Sequence, residues 1–271
     1  MFSVLMPVYH KDKPSYFRAA LASLAPQMAH VDEVVLVKDG PLGGALEAVI
    51  DAQRALLPLK VVALPENVGL AQALNAGLAQ CRSAWVMRFD ADDLCLPQRA
   101  ALQRERISAG ALDILGGQIE ECEPATLAVT GRRLVPCEAA EIRRFVRRRN
   151  PFNHMTVCFR RDFIRGLGGY PEIPLKEDYA LWARAIARGA RVANLPQVLV
   201  RARAGSELVL RRGGVRYARS ELALQALLWR EGVQSAWSSL LVGCARAALF
   251  ASPPALRRLV YRRALRANSI A

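Results

Sequence analysis

Val86-Met87-Arg88-Phe89-Asp90-Ala91-Asp92-Asp93 runs apolar and then stops at three carboxylates within four positions. A short apolar run ended by turn residues reads as a buried strand, and three similar runs precede it. Residues 2–8 form the first, after which Pro14 opens a helical pattern through Tyr16, Phe17, Ala20, Leu21 and Leu24. Val34-Val35-Leu36-Val37 ends at Asp39-Gly40 and is followed by a helix carrying Leu46, Val49 and Ile50. Leu59 to Leu64 gives way at Glu66-Asn67 to a helix with Leu70, Leu74, Ala76 and Leu78. Strand and helix alternating in this way imply an α/β fold with a mostly parallel, doubly wound sheet flanked by helices. In such a sheet the ligand crevice lies beyond the carboxyl ends of the strands. Tyr9, Asp39, Asn67 and Asp90 each follow one of the four runs, so their loops converge on one edge.

Carboxylates this crowded repel one another unless a divalent cation neutralises them, which points to a metal site at the end of a buried strand. A solvated acidic turn before the helix that begins near Pro97 is the plainer reading, and the cluster alone fits either. The segment after the first run, Pro7-Val8-Tyr9-His10-Lys11-Asp12-Lys13, holds no glycine. That argues against a nicotinamide or flavin enzyme, whose phosphates approach a glycine-rich turn, and the P-loop pattern is also absent.

Composition is globular: 271 residues, 52% apolar and 23% charged, supply a core for one large or two modest domains. Cysteines at 81, 95, 122, 137, 158 and 244 form no close pair and read as reduced and mostly buried. Met1 to Pro7 reads as a first strand instead of a signal peptide, so a cytoplasmic location is expected. Net charge is +14, but residues 1–130 carry 11 basic against 15 acidic residues and residues 131–271 carry 27 against 9. The second half therefore holds all the excess, nearly all of it arginine, which suits an anionic partner or simply a GC-rich genome.

Five motifs stand in register: Pro7-Val8-Tyr9; Lys38-Asp39-Gly40; Asn67 to Gly77; Arg88 to Asp93; and Glu177-Asp178-Tyr179-Ala180-Leu181-Trp182. In this order and spacing the chain resembles the inverting, GT-A-fold family-two glycosyltransferases, in particular bacterial enzymes building exopolysaccharide, lipopolysaccharide and O-antigen chains. The resemblance covers about residues 2–205. It implies a catalytic domain over 1–205, with a nucleotide-sugar half (1–110) and an acceptor and base half (111–205). Residues 206–271 would be a basic amphipathic helical extension.

The resemblance further implies roles. Pro7, Val8 and Tyr9 would hold the base and ribose through backbone groups and ring packing, with Asp39 supplying an acceptor oxygen. Lys38 stands where many relatives carry another acid, and a lysine there suits a phosphate. Asn67 suits a helix N-cap, and Asn75 reads more as part of a core helix than as a ligand contact. Arg88 would pair with an acid or touch the diphosphate. Asp90, Ala91 and Asp92 match the Asp-x-Asp element that holds Mg²⁺ or Mn²⁺ against the donor diphosphate, hard oxygen ligands favouring those ions over zinc. Asp93 would face the sugar or cap the next helix. Asp178 would be the general base and Glu177 its neighbour in the same helical turn, where the dipole alone also favours acids. His154, beginning a strand, and Trp182 fall in the possible acceptor or metal neighbourhood. Gly168-Gly169 reads as a turn that brings the base helix under the crevice, and the polar 117–133 region as a loop that closes over the donor.

Helical patterns rich in arginine follow Arg203, one with Leu222, Leu227, Leu228 and Trp229, another with Trp237, Leu240, Leu241 and Cys244. Arg246 and Pro253-Pro254 interrupt the apolar segment before it reaches the roughly 20 residues of a spanning helix. A last helix, Ala255 to Arg266, sets Arg258, Arg262 and Arg266 on one stripe, which fits either an anionic bilayer or a solvated face. The leading expectation is thus a metal-assisted hexosyltransferase that acts on a lipid-linked saccharide, peripheral on the inner face of the cell membrane. A nucleic-acid-binding protein and a catalytically silent sugar-nucleotide-binding protein are the alternatives. An acidic crevice would repel a polyanion, and the arginines lack interleaved aromatics, so no nucleic acid is expected.

Overall fold

The structure, a computed structural model, describes residues 1–204 and 213–252. β1 (Phe2–Val8) is buried along its whole length, as an apolar strand between two helical layers must be. α1 (Pro14–Ala22) starts on its proline, where the missing N–H breaks no helical bond. β2 (Val31–Lys38), α2 (Gly44–Gln53), β3 (Leu59–Ala63), α3 (Leu70–Gln80) and β4 (Trp85–Arg88) complete the alternation. β1 pairs in parallel with both β2 and β4, and β2 with β3, giving the order β3-β2-β1-β4. The chain steps outward from β1 to β3, then returns through α3 to the other side of β1. Direction therefore reverses between β1 and β4, which opens a crevice at their carboxyl ends.

Helix α3 lies close against the sheet because Gly77 has no side chain: a Cβ there would stand 2.4 Å from Leu5 Cδ1 and 2.5 Å from Val37 Cγ2. Buried Ala73 serves the same approach, whereas Leu70 at the helix start is 38% exposed on the crevice.

Past β4 the sheet becomes mixed. β5 (Leu94–Cys95), α4 (Arg99–Ser108), β6 (Ile114–Cys122) and β7 (Val129–Arg133) follow, then α5 (Ala139–Phe145), β8 (Cys158–Arg160), α6 (Arg161–Gly166), α7 (Glu177–Ala187) and β9 (Val192–Arg203). β8 runs antiparallel to both β4 and β6, β6 parallel to β9, and β5 antiparallel to β9. Parallel pairing thus holds among the first four strands and again between β6 and β9, whereas β5, β7 and β8 pair antiparallel. The 117–133 region, expected as a closing loop, is instead paired backbone: β6 and β7 form an antiparallel hairpin, because residues 123–128 are too few for a crossover.

Two apolar layers cover the sheet. Phe17, Leu21, Leu46, Val49 and Ala100 from α1, α2 and α4 fill one face. Leu74, Leu78, Ile142, Ile164 and Trp182 from α3, α5, α6 and α7 fill the other. α8 (Val215–Arg230) adds Leu224 and Leu228 to this second layer, and α9 (Ala236–Ala251) packs against α8. The cysteines are free, four of them buried, as their spacing suggested. No described helix is long and apolar enough to cross a membrane. The basic helix expected over 255–266 lies outside the described residues.

Candidate active site

Pro7, Val8 and Tyr9 leave β1 directly into a crevice of about 370 Å³, with Asp39, Asn67 and the Asp90-Ala91-Asp92 turn on its other walls. Asp39 is anchored at both ends. Its amide donates to the Val8 carbonyl at 2.8 Å, and its carboxylate accepts from Val68 N (2.8 Å), Gly69 N (3.2 Å) and Asn67 Nδ2 (3.0 Å). The N-cap position of α3 is therefore Gly69, not Asn67, and the capping carboxylate comes from β2 thirty residues earlier. Asn67 is a spoke of that web. Lys38 pairs with α2: its ammonium sits 2.5 Å from Glu47.

The acidic turn is differently made. Arg88 is fully buried and holds Asp90 Oδ1 at 2.5 Å, while its Nε and Nη1 have no partner. Its ion pair runs to Asp90, which lines the crevice. Asp92 stands at the mouth, its carboxyl pushed up to about 6 by the desolvating walls and by Asp90, although solvent reaches the residue. Asp93 points inward. It is 3% exposed, accepts from the amide of Arg203 at 3.0 Å, and burial with repulsion from Asp90 and Asp92 drives its carboxyl well up. It does not cap α4, whose N-cap is Gln98. Asp12 is a further acid on the same crevice. It accepts from Tyr9 N at 2.9 Å, and burial, reinforced by Asp92 and Asp90, lifts its carboxyl to about 6.

α7 starts at Glu177 and Asp178, and Glu177 feels the charges of Arg88 and Asp90. Asp178 accepts from Asn150 Nδ2 at 2.6 Å and from the amide of Tyr179 at 2.7 Å, with burial raising its carboxyl. Glu177 is 7% exposed, and burial plus the neighbouring Asp178 lift its carboxyl to about 7. The phenol of Tyr170 feels Arg88, Asp178, Glu177 and Asp90 together, which puts the strand-end acids and the helix-start acids around one buried centre. Asn75 ties the halves together. Its side chain receives Tyr170 N at 2.7 Å and donates to Tyr170 O at 2.9 Å. The turn before it needs Gly169: φ is +73°, and a Cβ would lie 2.3 Å from Asn75 Oδ1.

Similarity to known proteins follows the same lines. The model of the family described as glycosyl transferase family 2 matches residues 3–166. The chain belongs to that family. An uncharacterized glycosyltransferase of Haemophilus influenzae is 41% identical over 266 residues, covering 98% of this chain and 99% of the other. The amylovoran biosynthesis glycosyltransferase AmsE of Erwinia amylovora is 42% identical over 84% of this chain and 85% of its own. The UDP-Gal:alpha-D-GlcNAc-diphosphoundecaprenol beta-1,3-galactosyltransferase of Escherichia coli is 35% identical over 98% and 96%. Among solved structures, S. aureus TarS 1-349 in complex with UDP-GlcNAc superposes with a TM-score of 0.66 at 20% identity, over 88% of this chain and 69% of that one. The mannosyltransferase PcManGT from Pyrobaculum calidifontis, in complex with GDP-Man and Mn2+, gives 0.63 at 18% identity over 97% and 79%. These two show the fold, the GT-A arrangement of a family-2 glycosyltransferase.

Two residues expected near the acceptor of this glycosyltransferase lie deeper. Trp182 is fully buried, stacked edge-on with Phe152, Tyr170 and His154, so it shapes the core beneath the site. His154 is 9% exposed, shares a 3.1 Å hydrogen bond with Tyr170 Oη, and sits in a 3₁₀ turn (His154–Thr156) instead of opening a strand. Burial beside Arg88 holds its ring well below the usual range, hence neutral. Asp12, Asn150 and Arg203 carry no signal in the sequence beyond their types. Arg203 secures the acidic turn from β9, donating to the Asp92 carbonyl and stacking 4.4 Å over Tyr16.

Proposed function

We propose that this family-2 glycosyltransferase moves a hexose from a nucleoside-diphosphate sugar to a hydroxyl of a lipid-linked saccharide, with inversion, in bacterial surface polysaccharide synthesis. The observation that carries the reading is the single crevice in which the Pro7–Tyr9 edge and Asp39 face the Asp90–Asp92 turn, with Asp178 on the adjoining helix. Backbone groups of Pro7 and Val8, the ring of Tyr9 and the fixed Asp39 would seat the base and ribose. The AmsE relative, named for amylovoran biosynthesis, supports the polysaccharide role, and the galactosyltransferase relative, named for a diphosphoundecaprenol acceptor, supports the lipid link.

Asp90 and Asp92 would hold Mg²⁺ or Mn²⁺. The residues fit such an ion: both are hard oxygen donors at the crevice, and Arg88 and Arg203 do not offset the crowded carboxylates, leaving Asp92 and Asp93 driven toward protonation. No group of three His, Cys, Asp or Glu ligands stands ready among the described residues. Two carboxylates completed by substrate phosphates are the usual way Mg²⁺ is bound. The ion supplies Lewis-acid neutralisation of the departing diphosphate.

Asp178 takes the proton of the acceptor hydroxyl as it attacks the anomeric carbon from the face opposite the leaving group. Asn150 fixes one of its oxygens and the Tyr179 amide the other, so the carboxylate is oriented before the acceptor arrives. Burial raises the basicity of Asp178, whose charge in turn lifts the carboxyl of Glu177. An anionic membrane surface is the expected partner of the basic C-terminal helices, with the enzyme on the inner face of the cell membrane.

Calorimetry with Mn²⁺ and a panel of UDP, dTDP and GDP sugars tests the assignment. One donor should bind in wild type and in Asp178→Asn, and lose its metal-dependent affinity in Asp92→Asn. Equal affinity in Asp92→Asn and wild type would refute the metal role.

A further inference from the structure

We propose that the α8–α9 hairpin, with the arginine run beside it, is the seat for an anionic lipid bilayer. The hairpin buries Leu224 and Leu228 toward the catalytic body yet leaves its outer side apolar: Trp237 is 75% exposed, Leu241 67%, Leu240 55% and Trp229 52%. Trp237, Leu240 and Leu241 stand at i, i+3 and i+4 on α9, one stripe of the helix. Leu240 and Trp229 border the same groove between the helices, which joins the stripe to α8. A contiguous exposed patch of this kind marks an interaction site, and tryptophan is the side chain that suits a boundary between hydrocarbon and water.

Charge selects the occupant. Gln234, in the connection between the helices, donates to the carbonyl of Arg147, and Arg246 of α9 donates to that of Arg148. These two bonds tie the hairpin to the segment carrying exposed Arg147, Arg148 and Arg149, and exposed Arg230 follows Trp229. Acids on the hairpin are turned inward. Glu221 is fully buried between Lys176 (2.9 Å) and Arg246 (3.1 Å), and Glu231 is held by Arg184 (3.1 Å) and Arg188 (3.2 Å). An apolar centre with a cationic rim and neutralised acids matches a bilayer of anionic headgroups over hydrocarbon. A second copy of the chain would bring the same cationic rim against itself.

The seat is also wired to the site. Lys176, bonded to Glu221 of α8, immediately precedes Glu177 and Asp178, and its ammonium lies 4.5 Å over the Tyr217 ring. A membrane held by the hairpin would therefore set the height of α7's first turn above the lipid surface. The use of such a seat rests on the lipid-linked acceptor proposed above, but its existence is measured without donor or acceptor.

The full chain should float with vesicles of phosphatidylglycerol and phosphatidylcholine at low salt, and much less with phosphatidylcholine alone. Trp237→Ser/Leu241→Ser should weaken binding by about tenfold or more, since two apolar side chains no longer enter the bilayer. Arg147→Gln/Arg148→Gln/Arg149→Gln should remove the phosphatidylglycerol dependence. Both variants should keep wild-type helical circular dichroism and wild-type transfer to a water-soluble acceptor. Flotation unchanged in the Trp237/Leu241 variant overturns the proposal, because attachment then lies elsewhere in the chain. So does a concentration-dependent dimer that this variant dissolves while wild type ignores vesicles. A chain that floats but transfers nothing refutes the proposed reaction alone, and one that transfers but does not float refutes the seat alone.

Discussion

Asp39 and the Asp90–Asp93 turn carry the same side chain at the ends of β2 and β4, the strands on either side of β1, yet they are solved in opposite ways. Asp39 meets three donors, two of them the otherwise orphaned amides at the start of α3, so its charge is spent on holding the crevice wall. The acidic turn shares one buried guanidinium among several carboxylates, and Asp12 and Asp92 are lifted to about 6. One wall is complete without ligand. The other is short of positive charge, in keeping with the cation proposed for it.

The largest expected effect breaks the open side at the base. Asp178→Asn should lower kcat by about 10²–10⁴-fold, the range for a lost general base, with donor binding intact by calorimetry. Wild-type turnover in this variant would remove Asp178 from the chemistry. Next is the closed side: Asp39→Ala strands the Val68 and Gly69 amides and should cost about 1–3 kcal/mol of unfolding free energy in urea, with or without Mn²⁺. If instead only donor binding suffered, Asp39 would belong with the open side.

Asn75→Ala sharpens the comparison by loosening the join between the halves. Losing both Tyr170 bonds should cost about 1–2 kcal/mol and lower kcat more than donor affinity, because the base side shifts against the donor side. The smallest effect is in pH. Asp12 keeps its proton up to about pH 6 when folded but only to about 3.8 when unfolded, so its contribution is intact below pH 4 and lost as pH rises through 6. Metal-free Asp12→Asn should therefore gain thermal stability over wild type above pH 6, with the gain vanishing near pH 4 and shrinking when Mn²⁺ is added. A gain independent of pH would mean that Asp12 is not strained by its neighbours' charge.

Much of the first ninety residues was legible because each strand there is a continuous apolar run and each helix has its own period. Past Asp93 the cues weaken. β5 has two residues and β8 three, too short for any period, and β8 follows a 3₁₀ turn built on His154 that reads locally as strand. Arg88 and Trp182 stand in the quoted motifs yet are fully buried, since a motif fixes a position along the chain and not the direction of a side chain.

The sequence by itself determined which strand ends meet at the crevice and that Asp39, Asp90 and Asp92 stand there, because periodicity and turn chemistry act over a few residues. Tertiary structure alone decided how those acids are balanced. Asp39 finds α3, Asn75 finds Tyr170, Asp93 finds Arg203 and Lys176 finds Glu221 across 28 to 110 positions of chain. Such pairings are set by the packing of whole layers, in which burial and the distance between charges fix the cost of every buried polar group.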